Sequence, residues 1–535
     1  MWQQNYTPVA NSLPLSTLVA AVPIFVLLYL LGIRRVPAWK SSLAGLATAI
    51  IIALVAYGMP ANLVFASTIY GAVFGLWPIG WVVFTAVLLY RVTLESGKFA
   101  VLKDSIAHLA DDRRLQVLLI AFAFGAFIEG AAGFGTPVAV AATMLAGLGF
   151  TPFYAAAICL LANTAPVAFG SIAIPITTLA VTTGLPVDRL SAGVGRICAP
   201  VSVFIPAYLI LVMSGRKALR AVLPAAAVCG GVFAGMQFLV SNFVGPQLTD
   251  ILASLSAIGA LVLLFHIWKP KDVERGVRGG LPHSTREVVL AWGPYMLLVI
   301  CVLVWGYPPV QAFFASKNIV FQWPGLHNMV QRVPPVVARP SGYGAVFTFS
   351  WLAASGTACL LAAILGSFVA GLTPVRFLGV IGHTAKQLAL AELTLAAVLA
   401  IAYVMNYSGA TATLGLAFAA TGVTFPFFSA WLGWLGVFLT GSDTSANALF
   451  GNLQVVTATK LGMNTVLMAA VNSAGGVMGK MISLTSVAVA AAATSMKRED
   501  EALLFRFTLK HSLILTSAIG ALALFYAYVA PFWAP

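Results

Sequence analysis

Glu129 is a lone carboxylate in FGAFIEGAAGFGTPVAV, a run from Phe124 to Val140 that is otherwise apolar and rich in glycine. An acid at membrane depth is costly, so such a group is either functional or paired. It could load a proton together with an anionic substrate and release both on the far side of a membrane. A structural ion pair or a cap on the turn is the plainer alternative. A second acid, Asp443, lies in TGSDTSAN (440–447), surrounded by Thr440, Ser442, Thr444, Ser445 and Asn447. Hydroxyls and amides at that density suit a carboxylate ligand, with Asp443 as proton carrier or cation ligand. The same residue types favour an ordinary turn, but the flanking FFSAWLGWLGVFL and ALF put this tip at membrane depth.

Two further polar groups interrupt apolar runs. Asn163, Thr164, Ala165 and Pro166 fall inside a long apolar segment, where Pro166 removes a backbone donor. Asn472, Ser473, Ala474, Gly475 and Gly476 are expected to break a second helix with glycine instead. At such breaks Asn163, Thr164, Asn472 and Ser473 could cap half-helices and also hold a small carboxylate or hydroxyl. Lys480 follows the second break and could face the same ligand, or snorkel. Arg196 reads as an anchor near the outer end of its span, and Glu392, His266 and His511 read as interfacial.

These residues need a membrane scaffold. Of 535 residues, 60% are hydrophobic and only 8% charged, against about 25% charged in soluble domains. The net charge of +14 comes without a basic stripe carrying interleaved aromatics, so nucleic acid is not an expected partner. The N-terminus shows neither a basic n-region nor a cleavage site. The five cysteines are scattered singly through apolar runs and read as small buried hydrophobes, with no metal or disulfide spacing. GAAGFG lacks the context of a nucleotide loop. No nucleophile–base arrangement is present, so neither an enzyme nor a cofactor is expected.

The hydropathy pattern predicts an all-α polytopic protein with about twelve spans. They fall near 12–31, 41–57, 61–94, 152–182, 190–213, 221–244, 249–268, 288–306, 343–371, 386–408, 464–495 and 507–531. Segments 116–150 and 425–460 are interrupted by glycine and polar clusters and predict re-entrant hairpins. Arg34, Arg35, Lys40, Arg216, Lys217, Arg220, the connection 269–288, the loop 95–115 and KREDE (497–501) then share one side. By the positive-inside rule that side is the cytoplasm, with both termini and the connection 307–342 outside.

The halves echo each other. LESGK (94–98) matches NYSGA (406–410), FGAFIEGAAGFGTP (124–137) matches LGVFLTGSDTSANA (435–448), and NTAPVAFG (163–170) matches NSAGGVMG (472–479). The order is the same and the spacing nearly constant. The expected organisation is a single membrane domain: an inverted repeat at 1–220, linking helices at 221–287 and a second repeat at 288–535. Inverted repeats with broken helices are a transporter architecture whose substrate site lies at the repeat interface.

The chain resembles the bacterial L-lactate permease family in WQQNYTP (2–8), GLWPIGW (75–81), FGAFIEGAAGFGTPVA (124–139), NTAPVAFG (163–170), LGWLGVFLTGSDTSANALFG (432–451) and FRFTLKHS (505–512). The resemblance implies a symporter of the bacterial cytoplasmic membrane that moves 2-hydroxymonocarboxylates (L-lactate, D-lactate, glycolate) with protons. It also implies kinship with ion transporters in which paired hairpins move in an elevator-like fashion, and leaves a homodimer open. The resemblance assigns no individual residues; from the polar clusters themselves, Glu129 or Asp443 is expected to carry the proton. Asn163, Thr164, Asn472, Ser473, the second-tip residues Thr440, Ser442, Thr444, Ser445 and Asn447, and Lys480 hold the anion. Sodium coupling is the alternative within the class, and a passive anion channel the alternative outside it.

Overall fold

The computed structural model describes residues 1–133, 135–274, 281–497 and 499–534. Phe134 of the first tip, residues 275–280 of the basic connection and Arg498 of KREDE lie outside the described residues. Among the described residues, eleven helices are long and apolar enough to cross a membrane, or twelve if the bent pair Pro152–Ala162 and Val167–Thr183 is one span. Val187–Phe243 runs for 57 residues, about 85 Å at 1.5 Å per residue and enough for two crossings. Its interior breaks, at Gly215 and Val222, bracket Arg216, Lys217 and Arg220. They separate the two spans expected at 190–213 and 221–244.

The structure departs from the sequence expectation in several places. The expected span 343–371 is not one helix: Val346–Phe349 is a strand and helix is confined to the 15 residues Ser355–Val369. The alternation of β-branched and aromatic residues in VFTF suits a strand, and 15 helical residues reach only about 22 Å. Conversely, Ala410–Phe418 is helical and runs by way of the tighter turn Ala419–Thr424 into Phe425, a segment outside every expected span. The all-α expectation is also relieved by two small sheets. Trp2–Gln3 pairs in parallel with Val330–Gln331, which continues antiparallel to Ser341–Gly342, and Ile319–Gln322 pairs with Val346–Phe349. These pairings put the N-terminus and the 307–350 connection on the same face.

Both interrupted segments form helix–turn–helix hairpins whose limbs pack on each other: Arg113–Ala131 with Thr136–Gly147, and Phe425–Thr440 with Asp443–Leu461. The second turn is tight. Gly441 takes φ 73°, a conformation glycine adopts without steric cost. Ser442 Oγ then accepts from the backbone N–H of Ser445 and caps the returning helix.

The first helix break falls at residues 163–166, where Pro152–Ala162 and Val167–Thr183 meet at 64°. The second does not fall at Asn472–Gly476: helix Thr465–Gly479 runs through all five residues, and the break comes at 480–483. The glycines serve close packing instead. A Cβ built on Gly475 would lie 2.5 Å from Ala430 Cα, and one on Gly479 3.0 Å from the Phe438 nitrogen. Bare backbone there lets 425–440 lie directly on 465–479. The break follows where Ser483 caps Leu484–Ala493.

The limbs pack reciprocally. The returning limb of the first hairpin lies on 484–493, beyond the second break; that of the second lies on 170–183, beyond the first. Helix Pro374–Ser408, packed on 38–55, 61–74 and 81–95, forms a wall facing this assembly.

Candidate functional site

Both tips and both breaks converge on one cavity of about 280 Å³, a size for a ligand of few heavy atoms. The first tip supplies Glu129 and Gly135, and the second Thr440, Gly441, Ser442, Asp443, Thr444 and Ser445. The first break supplies Val167, Gly170 and Ser171; the second supplies Lys480, Thr485 and Ser486. Ala38, Val83, Ala391, Glu392, Thr394 and Leu395 close the opposite wall.

This convergence has an electrostatic consequence. Helices Thr136–Gly147, Asp443–Leu461 and Leu484–Ala493 all begin at the cavity. The first N–H groups of a helix lack intrahelical partners and carry partial positive charge, so three such ends favour an anion. Lys480 adds a full charge, its Nζ donating to the Gly441 carbonyl at 2.6 Å across the second turn. Against this one ammonium the lining residues include three acids, Glu129, Asp443 and Glu392.

Glu129 is only 5% exposed. Gly170 crosses over it so closely that a Cβ there would lie 2.5 Å from Oε1. Its Oε2 has no donor at full hydrogen-bond geometry among the described residues, and the buried Asn163 amide lies close enough to act on the carboxyl. Lys480 acts electrostatically on both Glu129 and Asp443.

Asp443 is held from behind. Its Oδ2 accepts from Ser473 Oγ at 2.6 Å and Asn447 Nδ2 at 3.3 Å, while Oδ1 is unpartnered. Asn447 Nδ2 also reaches the Pro175 carbonyl, Asn472 Nδ2 donates to Asn447 Oδ1, and Gln454 Nε2 donates to Asn472 Oδ1.

The ten residues assigned to the anion thus divide by position. Thr440, Ser442, Thr444, Ser445 and Lys480 line the cavity, whereas Asn163, Thr164, Asn447, Asn472 and Ser473 are buried in the layer behind it. Thr164 Oγ1 only donates back to the Leu161 carbonyl.

Other residues emerge only from the fold. Ser171 lines the cavity while its Oγ donates to the Ala132 carbonyl at 2.9 Å, tying the first break to the first tip. Ser171, Ile172 and Ala173 take φ of 47°, 58° and 60°, a left-handed turn that costs about 1–2 kcal/mol per residue. Nothing in GSIAIP announces it. Thr485 and Ser486 line the cavity from the first turn of the helix that follows the second break. Glu392 does not start its span: its helix begins at Pro374, so the residue stands mid-helix in the cavity wall. Arg196 lies elsewhere, donating to Asn242 Oδ1 and to the Trp533 carbonyl at 2.8 Å each. His511 Nδ1 pairs with Tyr208, also away from the cavity. All five cysteines are buried and free.

A family profile described as L-lactate permease matches residues 16–530. The chain is 45% identical to the glycolate permease GlcA of Escherichia coli (strain K12), over 99% of this chain and 98% of that protein. It is 46% identical to the L-lactate permease of Bacillus subtilis (strain 168), over 96% of each. Its identity to the L-lactate permease of Salmonella typhimurium is 42% over the full length of both. Among solved structures, the YdaH transporter of Alcanivorax borkumensis aligns with 86% of this chain and 87% of its own, at 15% identity and a TM-score of 0.44.

Proposed function

Because the chain belongs to the L-lactate permease family, a family of transporters and not of enzymes, we propose that it carries small 2-hydroxymonocarboxylates inward with protons. Lactate and glycolate are the substrates that the names of its relatives support. The membrane is the bacterial cytoplasmic membrane, with both termini outside.

One observation carries the coupling: a cavity built to attract an anion has three acids and a single ammonium among its lining residues. A substrate carboxylate adds a further negative charge beside carboxyls that are themselves buried. Unpaired charge in such a site is untenable, so substrate enters only as acids there take up protons. Glu129 and Asp443, one on each tip and both near Lys480, carry them. Lys480 and the helix ends receive the carboxylate; the hydroxyls of Thr440, Ser442, Thr444 and Ser445 receive the 2-hydroxyl. The reciprocal packing supports reading the halves as inverted repeats, with their hairpins and broken helices moving as one body against helix 374–408.

The test is uptake of labelled L-lactate into proteoliposomes with an alkaline interior and no sodium. Accumulation above the external concentration, competed by glycolate and D-lactate, is expected. A strict sodium requirement replaces protons with sodium as the coupling ion, and equilibration without accumulation makes the protein a channel.

A further inference from the structure

The tips and breaks leave one cavity acid unexplained. Glu392 stands on the wall that faces them, and its side chain lines the cavity. Yet both its carboxyl oxygens are shielded from solvent and, among the described residues, meet no hydrogen-bond donor. They are tucked against Gly80, where a Cβ would collide with Oε2. The niche exists because residue 80 has no side chain.

Among the described residues, no counter-charge serves this carboxyl. The elements packed on helix 374–408 bring Lys40 from 38–55, Tyr70 from 61–74, Tyr90, Arg91 and Glu95 from 81–95, and Asp443 and Lys460 from 443–461. Segments 75–80 and 410–418 bring no ionisable side chain, and Arg376, His383, Lys386, Tyr403 and Tyr407 share its own helix. None of these acts on Glu392. Arg91 is turned to Gln387 Oε1, and Lys480 acts on Glu129 and Asp443.

An ionised carboxylate with neither donor nor counter-charge is poorly held, so the niche at Gly80 suits only the neutral acid. The ionised side chain gains most by swinging into the cavity, towards Lys480 and the N-terminus of helix 443–461. Those are the groups a substrate carboxylate needs. We propose that Glu392 is a proton-dependent gate of the anion site: protonated, it rests against Gly80 and leaves the cavity open; ionised, it takes the place of the small hydroxycarboxylate. The proposal rests on reading the cavity as a carboxylate site, and adds a wall acid to the two tip acids.

The test is equilibrium binding to the purified full-length protein, with L-lactate or glycolate as probe, from mildly acidic to mildly alkaline pH. Affinity is read from ligand-induced thermal stabilisation, and proton uptake from a dye in weakly buffered solution. One linked proton changes affinity about tenfold per pH unit where it titrates. Glu392→Gln therefore lowers the pH slope by about one proton, and lowers proton uptake on binding by the same amount. Gly80→Ala, which fills the niche, weakens binding across the range, and the double variant Gly80→Ala/Glu392→Ala recovers it. A wild-type slope in Glu392→Gln overturns the proposal, as does wild-type binding that takes up no proton at alkaline pH. Should Glu392→Gln fail to fold, the Gly80→Ala pair decides: wild-type binding in Gly80→Ala, or no recovery in the double variant, overturns the proposal. No gradient is involved, so the outcome is independent of whether protons drive accumulation in liposomes.

Discussion

Ser473 Oγ donates to Asp443 Oδ2 at 2.6 Å, joining helix 465–479 to the tip of the second hairpin. The remaining donor to that oxygen is Asn447, at 3.3 Å. Removing the hydroxyl leaves a buried carboxyl dependent on the weaker contact. Ser473→Ala is therefore expected to lower stability by about 1.5–3 kcal/mol, the range for hydrogen bonds to charged groups. A melting curve of the purified protein measures this, and Ser473→Thr, which keeps the hydroxyl, serves as the rescue. An unchanged melting temperature in Ser473→Ala would show that Asp443 is held by something else.

Glu129→Gln keeps the shape of the first tip and removes its proton site. Gradient-driven accumulation should be lost while lactate–lactate exchange across equal pH survives, because exchange returns the carrier loaded and needs no proton release. Both are measured in the same proteoliposomes. Accumulation at the wild-type level removes Glu129 from coupling and leaves Asp443 as the tip acid that carries the proton.

Lys480 is the one ammonium among the residues lining the cavity, and its hydrogen bond to Gly441 fixes the turn beside it. Lys480→Gln keeps a donor but deletes the charge. Truncating one partner of a buried charged contact costs about 2–5 kcal/mol, so KM for lactate should rise by about thirtyfold or more. Lys480→Arg should recover part of the affinity. A KM within a factor of about two of wild type would place the anion away from Lys480.

Gly475 tests the packing beneath the site. A methyl group there meets the Ala430 backbone, which cannot step aside as a flexible side chain could. Overpacking of this kind costs about 1–3 kcal/mol, so Gly475→Ala should melt early and accumulate poorly. Gly259→Ala, on helix 249–267 with nothing within 4 Å, should leave the melting temperature within error or raise it. Equal melting for the two variants would refute close packing as the reason for the glycines.

How much of this is legible without coordinates differs from residue to residue. A lone acid in an apolar run has few structural excuses, so Glu129 and Asp443 stand out in the sequence, and both line the cavity. Glycine is ambiguous, because the same residue breaks helices and lets them touch. Asn472–Gly476 reads as a break, and only the contact with Ala430 shows why it is not one. Glu392 is misread for a different reason. His383 and Lys386 make the span seem to begin late, whereas the helix carries both charges on its way in from Pro374. Asn447 and Asn472 look like ligands because amides are versatile, and in the fold that versatility is used on each other. Ser171 could not be found at all, since its place in the cavity depends on a left-handed turn that no residue in GSIAIP favours.

Orientation can be tested with the cysteines the protein already has. All five are buried and free, so an impermeant thiol reagent meets little native background. The pairing of Trp2–Gln3 with Val330–Gln331 requires the N-terminus and the 307–350 connection to face the same compartment. Gln4 reinforces this, its backbone N–H donating to the Gln331 carbonyl at 3.0 Å. Asn5 and Lys317, both exposed, lie on that face, whereas exposed Lys271 belongs to the basic connection. The positive-inside rule puts the basic connection in the cytoplasm. Asn5→Cys and Lys317→Cys should therefore be labelled together in intact cells, and Lys271→Cys only after the membrane is opened. Labelling of Lys271→Cys from outside reverses the orientation, and a split between Asn5→Cys and Lys317→Cys would contradict the strand pairing itself.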